Sequence, residues 1–147
     1  MDEDRPLHSA YRATRYAVFP AVQEAERVWV LGVDCAVPPA LEAWLQAAGF
    51  CCWSLVSACN PASCLLSAEE NVLRQTRLRE DLQGAGWRWF FGMNYAGEGS
   101  HWPPEMSFWI PGMARESAMR LARSFGQNAF LCGTAGSRAR LVWISPC

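Results

Sequence analysis

The hydrophobic and polar positions of the chain change period along its length, which predicts alternating strands and helices. Almost unbroken apolar runs at 27–33 and 50–58 indicate buried central strands. Between them, apolar residues recur with the period of a helix behind Pro39, and Gly49 suits the helix C-terminus. Further along, Ser67 begins a helix whose fourth residue, Glu70, completes a capping box.

The complete pattern predicts one α+β domain over residues 13–147, preceded by a polar N-terminal arm at 1–12. Three helices are expected to pack on a mixed, largely antiparallel sheet, in the order β-β-α-β-α-β-β-α-β-β. The predicted strands are 14–19, 27–33, 50–58, 87–91, 105–110, 128–132 and 140–144, and the predicted helices are 38–49, 67–83 and 113–125.

The second predicted helix carries amide side chains where its apolar stripe should be. Ala68, Val72, Leu78 and Leu82 define the stripe, but Asn71 and Gln75 fall in its middle. An unpartnered buried amide costs about 1–3 kcal/mol, so Asn71 requires hydrogen-bond partners. Either Asn71 holds the Asn60-Pro61 turn, or it lines a pocket beside the end of the preceding strand.

Two loop segments supply further candidates. Asn60 and Ser63 follow the strand at 50–58, where Asn60 either stabilises its own turn or reaches a ligand, and Ser63 either caps locally or binds an anion. Gln127 and Asn128 follow the helix cap at Gly126, where their amides can satisfy free helix carbonyls or reach the same pocket.

The strand at 105–110 alternates cleanly, which places Glu105, Ser107 and Trp109 on one face. This face suits a binding surface, although a half-solvated outer face would show the same pattern. The preceding loop, 93–104, is long for a compact domain, and we expect it to act as a lid with Trp102 as a stacking group.

Composition narrows the function classes. The net charge of −1 gives no electrostatic basis for binding nucleic acid or an anionic membrane. All 13 basic residues are arginines, which excludes Schiff-base chemistry and a Walker lysine. The seven cysteines form no CxxC pair, the N-terminus resembles no secretory signal, and no apolar run spans a membrane, so we expect a reducing cytoplasm.

A metal site is not expected. Glu98, His101 and Glu105 are the acidic and imidazole side chains that come closest to a ligand set. The Glu-x-x-His segment lies on a Gly/Pro-rich loop rather than on a helix. Only a helix would project both side chains in the same direction at this spacing.

Several motifs together resemble a bacterial family of uncharacterised proteins, domain of unknown function 3293, from about Tyr11 to Phe130. The resemblance does not indicate an activity or a cofactor. It implies that the polar signature of the family consists of Asn60, Asn71, Trp102, Glu105, Ser107 and Gln127. The motifs are Tyr11-Arg12-Ala13-Thr14, Ser57-Ala58-Cys59-Asn60-Pro61 with Ser63, Glu70-Asn71, Trp102-Pro103-Pro104-Glu105-Met106-Ser107-Phe108 and Phe125-Gly126-Gln127-Asn128-Ala129.

Two function hypotheses follow. The first is a pocket for a small polar ligand, such as a nucleoside, nucleotide or amino acid, in a hydrolase, a transferase or a binding protein. Its ligand-binding residues would be Asn60, Ser63, Asn71, Trp102, Ser107 and Gln127, and Glu105 is the only good general acid or base among the candidates. The alternative is a non-enzymatic interaction or regulatory module that uses exposed Trp and Arg, with Trp102 and Trp109 as anchors.

Overall fold

A computed structural model of the chain describes residues 5–20 and 28–144. Within these ranges the chain forms four α-helices and seven strands. A short 3₁₀ turn at Pro61–Ser63 follows the third strand. Their bounds are α1 Arg5–Ala13, β1 Arg15–Phe19, β2 Trp29–Gly32, α2 Pro39–Ala48, β3 Cys52–Val56, α3 Ala68–Gly84, β4 Phe90–Tyr95, β5 Glu105–Pro111, α4 Arg115–Ser124, β6 Ala129–Thr134 and β7 Arg140–Trp143.

The strands form one sheet in the order β2-β1-β4-β5-β3-β6-β7, and each described pairing of neighbours is antiparallel. The α+β class is confirmed, whereas the prediction of a mixed sheet is wrong. The helical connections skip strands: α4 links β5 to β6, but β3 lies between these two and runs antiparallel to both. A helix between two strands therefore does not produce a parallel pair here.

Each face of the sheet carries its own apolar cluster, because successive side chains of a strand point to opposite faces. Trp53 of β3 packs on one face with Leu41 and Leu45 of α2. Val56 of the same strand packs on the other face with the buried side chains of α3 and α4, including Leu78. We call these the α2 face and the α3/α4 face.

The prediction of three helices is wrong, because part of the predicted polar arm forms α1. Leu7 lies one helical turn before Ala10 and Tyr11, and these three residues supply the apolar stripe of this nine-residue helix. The ring of His8 stacks on Trp143 of β7 at 4.2 Å between centroids, a contact with no local sequence signal. Residues 1–4 of the predicted arm lie outside the described residues, as does Arg27, the predicted start of the second strand.

The fourth strand begins and ends later than predicted, at Phe90–Tyr95 instead of 87–91. Gly92 was expected to end the strand, but it lies within it opposite Ser107. A Cβ at Gly92 would lie 2.6 Å from the hydroxyl oxygen of Ser107, so glycine makes room for that side chain. The loop that follows is correspondingly shorter and covers 96–104.

The third helix has the predicted cap and a different inner face. The side chain of Ser67 accepts a hydrogen bond from the Glu70 backbone N–H, as the capping box requires. Val72, however, is exposed, while Gln75 is buried beside Leu78. The sequence pattern therefore placed the apolar stripe too far towards Val72.

Six of the seven cysteines lie in the part of the chain that the structure describes, and all six are free thiols. Cys147 lies outside it. None of the helices in the described ranges combines the length and the hydropathy needed to cross a bilayer.

Candidate functional site

A cavity of about 300 Å³ lies on the α2 face of the sheet, beyond the apolar cluster that α2 covers. Five adjacent strands contribute to its floor, since β1, β4, β5, β3 and β6 each project side chains to this face. Helix α1 and the loop at 96–104 provide the remaining walls. The floor includes Tyr16, Leu55, Asn94, Glu105, Ala129 and Leu131.

The structure brings most of the predicted site residues to this cavity. Two of them, Asn71 and Ser107, do not line it, and each instead hydrogen-bonds a residue that does. Those on the cavity wall are Asn60, Ser63, Trp102, Glu105 and Gln127.

Asn60 and Asn71 form a reciprocal pair. The backbone N–H of Asn60 donates to Asn71 Oδ1 at 2.9 Å, and Asn71 Nδ2 donates back to Asn60 Oδ1 at 2.8 Å. The same Oδ1 accepts from the backbone N–H of Leu66 at 2.8 Å. Because its oxygen is held twice, the Asn60 amide has a fixed orientation, with Nδ2 directed at Glu105. Asn71 therefore holds the turn, as the first of its two sequence interpretations stated.

Glu105 is the carboxylate of the site. Its Oε2 accepts a hydrogen bond from Asn60 Nδ2 at 2.7 Å. Burial raises the pKa of this carboxyl above its ordinary value, and hydrogen bonds from Asn60 and from Trp102 offset part of that effect by stabilising the charged form. A desolvated carboxyl on a cavity wall can accept hydrogen bonds from a ligand or exchange a proton with it.

Asn94 is a wall residue that the sequence analysis missed. It lies directly opposite Glu105 in the β4–β5 register, and its Oδ1 accepts a hydrogen bond from Ser107 Oγ at 2.8 Å. Ser107 itself is completely buried and thus positions Asn94 rather than contacting a ligand. The predicted strand ended before Asn94, so the alternation that would have placed it beside Glu105 was not applied.

Tyr11 and Ser63 join α1 to the opposite wall. Their hydroxyl groups are 3.0 Å apart, and Ser63 Oγ also accepts from Asn128 Nδ2 at 2.9 Å. Burial raises the pKa of Tyr11, so its phenol stays protonated at neutral pH. Neither partner of Ser63 is a base, and this hydroxyl is not activated as a nucleophile.

The turn that carries Asn60 and Ser63 is strained. Asn60, Ala62 and Ser63 have φ values of 46°, 54° and 56°, in the left-handed region that non-glycine residues rarely adopt. Each such residue costs on the order of 1–3 kcal/mol, and such strain persists only where neighbouring contacts impose it. The hydrogen bonds of Asn71 and Asn128 to this turn are contacts of that kind.

Gln127 reaches the cavity while holding the strand end. Its Nε2 donates to the backbone carbonyl of Cys59 at 3.0 Å. Behind it, Arg74 Nε donates to the Ala58 carbonyl at 2.6 Å, and Arg74 also donates to the Phe125 carbonyl. Arg74 therefore links the end of β3 to the end of α4.

Within residues 5–20 and 28–144, no three His, Cys, Asp or Glu side chains are grouped so that they could hold a metal ion. Glu98 and Glu105 both line the cavity, but His101 does not.

Comparison with known proteins gives one match. A family model described as "Protein of unknown function (DUF3293)" matches residues 56–130, which are 75 of the 147 residues. All seven predicted site residues lie within the matched part. No curated protein and no solved structure matches the chain significantly.

Proposed function

The chain belongs to the family of proteins of unknown function DUF3293, and we propose that it binds a small polar molecule, nucleoside-like or amino-acid-like, in the cavity that Glu105 lines. Pockets for small molecules are mostly apolar concavities that carry a few fixed polar groups. This cavity fits that description, since Leu55, Ala129 and Leu131 line it together with the polar groups of Asn94 and Glu105.

The half-buried Glu105 carboxyl, which lines the cavity and is held by Asn60, is the single observation that carries the proposal. Leaving a polar group desolvated is unfavourable, and natural folds retain such groups where they have partners or a function. The protein supplies one firm partner, Asn60 Nδ2, and that donor is itself aligned by Asn71. A ligand that enters the cavity would complete the hydrogen bonding of the carboxyl.

Glu105 also defines the chemistry available at the site. Its raised pKa brings it closer to neutrality, where a carboxyl exchanges protons most effectively. Hydrolysis or group transfer assisted by one general acid–base fits this arrangement. The neighbouring Ser63 and Cys59 are poor nucleophiles here, because the first lacks a base and burial raises the pKa of the second.

The test is a thermal-shift screen with nucleosides, nucleotides and amino acids against three proteins: wild type, Glu105→Gln, and the control Glu80→Gln, whose site is exposed on α3. A ligand at 100 times its dissociation constant adds about 2.7 kcal/mol of apparent stability. We expect a stabilising compound for wild type and Glu80→Gln, and loss of that stabilisation in Glu105→Gln. A compound that stabilises all three proteins equally would contradict the role of Glu105.

The alternative function, an interaction module, receives support from another surface. Of the two predicted anchors, Trp109 is completely buried and therefore not available, whereas Trp102 is half-buried on the cavity wall. The outer side of β1, β2 and β4 instead exposes Phe19, Val30 and Phe91 on the α3/α4 face. Size-exclusion chromatography with light scattering tests this surface: a dimer that Phe91→Ser converts to monomer would favour the alternative.

A further inference from the structure

The charges on the cavity wall have one sign. Among the lining residues that the structure describes, the two with formally charged side chains are Glu98 and Glu105. Arg12 of α1 pairs with Asp34 at 2.5 Å, and Arg74 of α3 donates to the backbone carbonyls of Ala58 and Phe125. A phosphate or carboxylate on the ligand would therefore face carboxylates without a countercharge, which is unfavourable in a desolvated site.

Aromatic rings make up much of the remaining wall. The rings of Tyr11, Tyr16 and Trp102 line the cavity. The faces of such rings are electronegative and attract organic cations, more strongly where water is excluded. A carboxylate together with several aromatic rings is the combination that recognises an ammonium group.

The hydrogen-bonding groups of the wall also favour a ligand that donates hydrogen bonds. Glu105 presents a carboxylate, and the hydrogen bonds of Gln127 within the described residues all use Nε2, which leaves its Oε1 as an acceptor. Acceptors match a ligand group that is rich in N–H donors. The Cys59 thiol and the Tyr11 phenol are neutral at pH 7, because burial raises the pKa of each.

Given that the cavity is a ligand site, as proposed above, we infer that its ligand is a small organic amine in its protonated form. The ammonium group binds Glu105, and an apolar body lies against Tyr16, Leu55 and Leu131. The cavity of about 300 Å³ is at the small end of ligand pockets, so the amine is a compact molecule without phosphate.

A matched panel of three probes tests this inference by calorimetric or NMR titration at pH 7. The probes are 2-phenylethylamine, 2-phenylethanol and phenylacetate, which share a ring and differ in the charge of the terminal group. We expect the amine to bind at least about tenfold more tightly than the alcohol and the acid, since charge-assisted hydrogen bonds are roughly twice as strong as neutral ones. Glu105→Gln should remove the advantage of the amine, whereas Glu80→Gln should keep it.

The ranking of the probes on wild-type protein needs no substitution, so it decides the question even where Glu105→Gln does not fold. Equal or tighter binding of the alcohol or the acid would overturn the inference while leaving the cavity as a ligand site. Stabilisation by a nucleoside or an amino acid in the thermal-shift screen, with no binding of the amine at millimolar concentration, would also overturn the inference and leave the cavity as a ligand site. Failure of every compound in both experiments would overturn the proposed function as well.

Discussion

The orientation of one amide, that of Asn60, determines which of its groups faces Glu105 at the cavity wall. Asn60 Oδ1 accepts hydrogen bonds from Asn71 Nδ2 and from the Leu66 backbone, so that Nδ2 must point at Glu105. The energetic role of Asn71 is therefore to hold Asn60, which adopts a left-handed backbone conformation with φ of 46°. Asparagine is among the residues that tolerate this conformation best.

We expect Asn71→Ala to lower the free energy of unfolding by about 1–3 kcal/mol, because it leaves the Asn60 backbone N–H without its acceptor. Urea denaturation measures this change. Gln83→Ala, at an exposed position of the same helix, is the control and should stay within about 0.5 kcal/mol of wild type. A cost for Asn71→Ala no larger than that of the control would show that Asn71 does not hold the turn.

At this scale the sequence indicated polar residues that the fold brings to one cavity, but not which of them bond one another. Asn71 was singled out within an apolar stripe, and Glu105 and Ser107 on one face of a strand. The structure places Glu105 on the cavity wall and the other two beside wall residues. Whether a partner is a ligand or another side chain depends on distances between remote segments, such as Asn94 and Ser107. Periodicity holds no information about such distances.

Helix α1 covers the cavity and is held mainly by ring contacts. His8 stacks on Trp143 at 4.2 Å, and Tyr11 packs on the same indole at 4.9 Å between centroids. The Arg12–Asp34 ion pair is more than half exposed at both side chains, and exposed pairs contribute only about 0–1 kcal/mol. Two rings of α1 thus contact Trp143, which we assign as an anchor of this helix beside the Tyr11–Ser63 hydrogen bond.

We expect Trp143→Ala to loosen α1 while the central strands stay folded. Hydrogen exchange should accelerate at the α1 amides from His8 to Ala13, and the amides of β3 and β5 should keep their protection. Trp87→Ala is a matched control, because Trp87 is also half-buried but packs on the α3/α4 face. Unchanged exchange in α1 would contradict the assignment of Trp143 as its anchor.

Elements with a strong period were predicted well, and those with a short or interrupted period were not. The cap of α3 and the strand at Arg15–Phe19 lie close to their predicted positions. Helix α1 was missed because its stripe has only a few apolar residues, and β4 was shifted because Gly92 looks like a strand end. In the fold, Gly92 is required by the Ser107 side chain of the neighbouring strand.

For the whole molecule, the sequence predicted the α+β class but not the order of the strands. Strand order depends on which strands a helical connection bypasses, and α4 bypasses β3. This order brings β5 beside both β4 and β3, and it thereby brings Glu105 close to Asn94 and to Asn60. The candidate site is thus a product of topology, assembled from segments far apart in the chain.

The central claim is that Glu105 is a desolvated carboxyl facing a space that a ligand fills. The most direct measurement is an NMR pH titration of ¹³C-labelled glutamate side chains, with and without saturating 2-phenylethylamine and with Glu105 assigned from the Glu105→Gln spectrum. Tyr11, Tyr16 and Cys59 face the carboxyl but stay neutral in the acidic range, because burial raises the pKa of each.

In the free protein we expect a Glu105 pKa above the ordinary glutamate value of 4.5. Since a bound cation favours the ionised carboxyl, saturation with the amine should lower that pKa, and binding should strengthen as the pH rises through it. The signal of Glu80, which is exposed on α3 and does not line the cavity, should not respond to the amine. An ordinary pKa for Glu105 that the amine leaves unchanged would contradict the account.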